Sequence, residues 1–231
     1  MPATPEITLS LPVASLDMLR LGDEIAALEG SGVAELLFPV GDGAIAPFMT
    51  GVALARQISG HTKIPCHALL LSLHPERHID AFAGAGFAAM TISFEASTHH
   101  HRMLTRIREA GMKAGIAVNP TTSLTALDYL LDKSDCVCLL GCEADDESGH
   151  TAHTMLCERV KMLRDIIQYR ELRAKIMPYS GLDLTLAKQA LQAGASIIAL
   201  EPRMIQDGKG TTTLDAITKC LAALSATDGA L

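Results

Sequence analysis

Three times in this chain a helical pattern is closed by Ala-Gly and followed almost at once by a short apolar run. Ala85-Gly86 precedes Ala89 to Glu95, Ala110-Gly111 precedes Ala114 to Asn119, and Ala193-Gly194 precedes Ser196 to Glu201. A helix ended by glycine and joined to a strand by so few residues is the short connection of alternating β/α architectures. Five more runs keep the same rhythm: Ile7 to Leu11, Ala34 to Val40, Ile64 to Leu71, Cys136 to Cys142 and Lys175 to Tyr179. The run from Ile64 to Leu71 is apolar throughout, as a parallel strand covered on both faces must be.

Eight strands at about 27 residues per repeat predict an α/β fold, a single (β/α)8 TIM barrel over residues 1–231. An open doubly wound sheet would carry a glycine-rich first turn, and Ser10-Leu11-Pro12-Val13 is no such turn. The pattern places Ser10, Pro39, Leu71, Glu95, Asn119, Cys142, Tyr179 and Glu201 at or near the C-terminal strand ends, where barrels of this kind build their sites. It predicts an α-helix in every connection. The first has Ser15 as N-cap and Leu19, Leu21, Ile25 and Leu28 as its apolar face, and another runs from about Thr154 to Tyr169.

Composition removes several classes of function. With 3% aromatic residues, no Trp and a net charge of -7, the chain lacks the basic, aromatic-studded surface of a nucleic-acid binder. No apolar run approaches the ~20 residues of a membrane span, and Met-Pro-Ala-Thr-Pro-Glu has no signal-peptide character, so a cytoplasmic protein is expected. The six cysteines lie mostly inside apolar segments and read as small buried hydrophobes in a reducing compartment. Cys136-Val137-Cys138 has the wrong spacer for a zinc knuckle. The acidic segment from Glu143 to His150 lacks the alternating carboxylates of a calcium loop and reads as a solvated lid or a lure for cations. His99-His100-His101 reads as a helix start whose rings splay apart, and His67 as a hydrogen-bonded core residue.

Several stretches together resemble one family. Ser15-Leu16-Asp17-Met18-Leu19-Arg20-Leu21-Gly22-Asp23-Glu24-Ile25, Asp42-Gly43 with Pro47 and Gly51, His74-Pro75-Glu76-Arg77, Glu95-Ala96-Ser97 and Gly115 through Leu124 follow one another in unbroken order. In this they are similar to the ribulose-phosphate 3-epimerases, which implies a ribulose-phosphate-binding type of barrel. The resemblance also implies a divalent metal held by two His and two Asp, the Asp pair serving as acid and base on the two faces of the sugar. Here those four positions fall on Leu37, Pro39, Leu69 and Tyr179. Leu and Pro have no donor atom, and a Tyr hydroxyl with a pKa near ~10 is a poor ligand and a poor base at neutral pH. The family's phosphate-binding amides after the sixth and eighth strands fall on Asp145-Asp146-Glu147 and on Glu201-Pro202. Pro202 has no N–H, and a carboxylate within ~4 Å of a phosphate costs about 4 kcal/mol at an effective dielectric of 20.

Two functions follow as expectations. The first is a diverged sugar isomerase or epimerase of carbohydrate metabolism that uses neither metal nor cofactor. Glu143, Tyr179 and Glu201 would be its catalytic groups, and Ser10, Asp42, Asn119, Ser180 and Arg203 would hold a small polar substrate. The second is a non-catalytic barrel serving as a partner subunit or a small-molecule sensor. A catalytic barrel should show a closed pocket with Glu143, Tyr179 or Glu201 converging within hydrogen-bond reach, and a non-catalytic one a filled or collapsed mouth and a large apolar surface patch. Neither nucleic acid nor membrane is an expected partner, and self-association into a homo-oligomer is expected.

Overall fold

The computed structural model of the chain describes residues 7–47, 50–142, 153–179, 181–201 and 212–225. Its strands are β1 (Thr8–Pro12), β2 (Glu35–Gly41), β3 (Cys66–Leu71), β4 (Ala89–Ser93), β5 (Lys113–Val118), β6 (Cys136–Leu140), β7 (Lys175–Tyr179) and β8 (Ile197–Ala199). They form one parallel sheet in the order β7-β6-β5-β4-β3-β2-β1-β8. The ends of that sheet meet. The Ser196 N–H donates to the Ile176 carbonyl at 3.0 Å, and the Ile176 N–H donates to Ser196 Oγ at 3.1 Å. Two residues further along β7, the pleat turns Pro178 toward β8 as well, and its nitrogen has no hydrogen to donate. Pro178 therefore donates no hydrogen bond across the β7–β8 seam.

Among the described residues seven α-helices alternate with the strands: α1 (Leu21–Leu28), α2 (Val52–Ser59), α3 (Ile79–Gly84), α4 (His100–Glu109), α5 (His153–Tyr169), α6 (Leu184–Ala193) and α7 (Thr213–Ser225). Between β5 and β6 the expected α-helix is replaced by two 3-10 turns, Leu124–Leu127 and Leu131–Lys133. Leu124, Leu127 and Leu130 are buried at a spacing of three, which matches the 3.0 residues per turn of that helix. They cover the sheet as an α-helix would. The start of α1 also differs from expectation. Ser15 Oγ donates to the Pro12 carbonyl at 2.6 Å inside a first 3-10 turn, and Asp17 caps the next by accepting from the Leu19 N–H at 3.0 Å. The helical phase begins only at Leu21, so Leu19 falls outside the buried stripe and is 96% exposed.

Strand alternation sorts the core into two bodies. Outward residues such as Leu36, Phe38, Leu70, Ile92, Ile116 and Val137 pack under the helices. Inward residues such as Leu37, Leu69, Ala117, Leu140, Met177 and Ala199 fill the barrel. None of the six cysteines is in a disulfide, and burial pushes the Cys66 thiol up to about 11, with Glu35 adding to the effect. Among the described residues no helix is long and apolar enough to cross a membrane.

The helix-to-strand connections carry one local conflict. Gly86, Gly111 and Gly194 leave their helices with φ of 81°, 87° and 116°, whereas after α5 the left-handed position holds Glu171 at φ 54°. A side chain there strains against its own backbone. Glu171→Gly is expected to stabilise the fold by about 0.5–1 kcal/mol, raising Tm by about 1–4 °C in thermal unfolding. A lower Tm would show that Glu171 holds the turn by contacts that outweigh the strain.

Candidate active-site mouth

The floor of the barrel is polar. Glu35, His67 and Thr91 point inward from β2, β3 and β4, and the imidazole bridges the other two. Its Nδ1 lies 3.1 Å from Glu35 Oε1 and its Nε2 lies 2.8 Å from Thr91 Oγ1. An ionised carboxylate only accepts, so Nδ1 carries a hydrogen. Burial works to raise the Glu35 carboxyl, but the hydrogen bond and charge of His67, with help from Ser10 and Lys175, hold it below its ordinary value. Room for the Thr91 hydroxyl comes from Gly115 on β5, where an added Cβ would lie 2.1 Å from Thr91 Oγ1. His67 is thus a hydrogen-bonded core residue, as its place in β3 suggests.

Above that floor the interior turns apolar. Leu37 and Leu69 are wholly buried, and they join Leu71, Ala117, Leu140, Tyr179 and Ala199 in one cluster. Pro39, also buried, is the register partner of Leu69. The loop after β2 folds back over this cluster and sets Ala46 against it. Glycine permits that fold: a Cβ on Gly41 would lie 1.9 Å from the Pro47 carbonyl oxygen. Asp42 then locks the loop. Its carboxylate accepts from the Ala44, Ile45 and Leu73 N–H groups at 3.0, 3.2 and 2.8 Å, tying the loops after β2 and β3 together. Burial opposes the charge, yet these donors and Ser72 bring the carboxyl down to about 2.

The remaining candidates are scattered between the floor and the rim. Ser10 is fully buried beside Glu35 on the floor, and its Oγ has no hydrogen-bond partner of ordinary geometry. Tyr179 ends β7 within the apolar cluster, and Glu201 lies two residues past β8, partly buried. Asn119 follows β5. Its N–H donates to Glu95 Oε1 at 3.0 Å, and its carbonyl accepts from Arg159 Nη2 at 3.2 Å. Glu143, Ser180 and Arg203 lie outside the described residues.

Sequence reasoning missed the group around Asn119. Glu95 accepts from Ser93 Oγ at 2.8 Å and from Thr122 Oγ1, and its charge faces Arg159 on α5. Arg159 was visible in one respect: with Leu156, Val160 and Leu163 it falls on the apolar stripe of its helix. Asn119 Oδ1 and Arg159 Nε are both closed off from solvent without a partner among the described residues, and each such group costs about 1–3 kcal/mol. On the same face a cleft of about 430 Å³ opens between the loops after β3 and β4, lined by His74, Glu76, Glu95, His99, Arg102 and Arg106 among others. Of the expected site residues that the structure describes, Ser10, Asp42, Asn119, Tyr179 and Glu201, none lines it. Beside it His100 stacks on Phe94 with ring centroids 4.3 Å apart and places Nε2 2.7 Å from the Phe94 carbonyl, so this imidazole turns back on its own loop.

Residues 7–203 match the model of the ribulose-phosphate 3 epimerase family. This chain belongs to that family. It is 30% identical to the ribulose-phosphate 3-epimerase of Rhodobacter capsulatus over 95% of both chains. With the Synechocystis enzyme of the same name it shares 32% over 83% of this chain and 84% of that one. Solved structures extend the likeness to the fold alone. A tryptophan synthase α-subunit from Pyrococcus furiosus superposes with a TM-score of 0.67 at 13% identity, over 96% of this chain and 98% of that one. A monomeric form of dimeric phosphoribosylanthranilate isomerase from Thermotoga maritima gives 0.62 at 13%, over 95% and 98%. The divalent metal implied by the family resemblance does not fit the residues present. Its four positions are Leu37, Pro39, Leu69 and Tyr179, packed as core, and among the described residues no three His, Cys, Asp or Glu gather as a metal site.

Proposed function

We propose that this chain is a ribulose-phosphate 3-epimerase-like protein of carbohydrate metabolism, a diverged sugar isomerase or epimerase that does not use metal-assisted epimerisation. One observation carries the reading. Leu37, Leu69 and Tyr179, which replace ligand positions, belong to a single dry cluster rather than to a set of polar side chains awaiting an ion. In the catalytic form of this reading Glu143, Tyr179 and Glu201 move protons, while Ser10, Asp42, Asn119, Ser180 and Arg203 orient a small polar substrate. The same apolar cluster, with Ala46 laid against it, favours a second reading in which the barrel is non-catalytic and serves as a partner subunit or sensor.

A thermal-shift screen of sugars, sugar phosphates and divalent metals tests both readings, because any ligand of the folded state raises Tm, by about 2.7 kcal/mol of stabilisation at a hundredfold excess over Kd. A sugar that raises Tm and is also interconverted with an isomer supports the catalytic form. A sugar that binds and is recovered unchanged supports the sensor. Silence toward every sugar and sugar phosphate would overturn the carbohydrate assignment.

A further inference from the structure

We propose that Asn119 and Arg159 form a hydroxyl-binding subsite on the C-terminal rim of β5, suited to an uncharged sugar or polyol. The proposal rests on the carbohydrate reading above and names the part of the ligand that this corner takes. Among the described residues two polar atoms there lack partners, and they are of opposite kinds: Asn119 Oδ1 accepts, and Arg159 Nε donates. They belong to side chains already joined, since Arg159 Nη2 donates to the Asn119 carbonyl at 3.2 Å. A hydroxyl donates and accepts at once, so a single C–OH can satisfy both.

Charged groups fit less well. A phosphate or carboxylate could accept from Nε, but it would set lone pairs against Asn119 Oδ1 and enter the field of Glu95, whose Oε1 lies 3.0 Å from the Asn119 nitrogen. An ammonium would meet the Arg159 guanidinium. The corner as a whole is close to neutral, because Glu95 opposes Arg159 and is itself supported by Ser93 and Thr122. Asn119 and Arg159 are each only partly buried as residues, so a side-chain rotation can open both atoms to a ligand. Buried polar atoms are normally paired, and an incoming hydroxyl relieves two orphans in one step.

The test compares the intact protein with Asn119→Ala and Arg159→Lys in calorimetric titrations with D-xylose, ribitol, ribose 5-phosphate and inorganic phosphate. Arg159→Lys keeps the charge and removes Nε–H, so it separates the hydrogen bond from the electrostatic field. The expected result is that a neutral sugar or polyol binds the wild type and that each substitution weakens it by about tenfold, with the apo melting temperatures showing both variants folded. Should Asn119→Ala fail to fold, Arg159→Lys alone carries the comparison. Unchanged affinity in the folded variants would overturn the subsite while leaving the carbohydrate reading in place. Tighter binding of inorganic phosphate than of any neutral probe, lost in Arg159→Lys, would overturn the neutral-ligand assignment. No binding of any sugar or sugar phosphate to the wild type would overturn both readings. A crystal structure with a sugar bound elsewhere and only a water between the two atoms would also reject the subsite.

Discussion

His67→Leu is expected to cost about 3–5 kcal/mol of folding stability, a large share of the ~5–15 kcal/mol that holds a typical domain together. The substitution is close in volume and leaves the barrel interior filled, so the loss comes from stranded partners. Glu35 loses the imidazole 3.1 Å away that holds its charge, and Thr91 Oγ1 loses its contact at 2.8 Å. The pH dependence identifies the cause. In the wild type the Glu35 carboxyl lies below its ordinary 4.5, so its contribution is present above about pH 4.5 and is lost as pH falls through the folded value. Without His67, the two largest opposing influences are gone, and burial, already the largest single one, is expected to push the carboxyl above its unfolded value. The sign then reverses, and this group stabilises most in acid and less as pH rises. Denaturant titrations between pH 4 and 7 should therefore show the gap between wild type and variant narrowing toward acid. A gap independent of pH would mean that His67 contributes packing alone. Glu35→Gln added to His67→Leu removes the stranded charge and should recover part of the loss.

The barrel was readable because its signals repeat. Ala-Gly closures and evenly spaced apolar runs place all eight strands, since parallel strands buried on both faces leave little freedom in composition. What escaped was local phase. A 3-10 turn and an α-helix both bury leucines every three or four residues, so the segment from Leu124 to Lys133 reads alike for either. Ser15 and Asp17 are both good caps, and which one serves depends on how tightly the chain turns after β1. At the site, the loss of donors at Leu37, Pro39 and Leu69 is a matter of residue identity and needs no coordinates. The pairing of Asn119 with Arg159 does: forty positions separate them, and only the fold brings α5 over the end of β5. The dual use of Asp42 is likewise hidden. Its carboxylate is taken up by three backbone N–H groups from two loops, whereas Asp-Gly in the sequence suggests only a turn.

With zinc, manganese, iron or cobalt supplied, the purified protein is expected to show no conversion of ribulose 5-phosphate to xylulose 5-phosphate above background. That reaction needs an acid or base on each face of the sugar, a positive centre for the enediolate and donors for the phosphate. Leu37 and Leu69 are sealed inside an apolar cluster, and Pro39, also buried, has no donor. Tyr179 offers a phenol where a carboxylate is needed, a poor metal ligand and a poor general base. Losing one oxyanion contact alone costs ~10²–10³ in rate, and here the positive centre and both acid/base carboxylates are replaced together. At the positions that the resemblance gives to phosphate-binding amides the sequence has an acidic Glu201 and a Pro202 without an N–H. A coupled assay with a related metal-dependent epimerase as positive control sets the scale. Metal-dependent turnover of even about one per second would require donors that these four positions cannot supply, and would place the site on residues elsewhere on the rim. Binding of the sugar phosphate without turnover is a different outcome, and it would separate a retained sugar site from the lost chemistry.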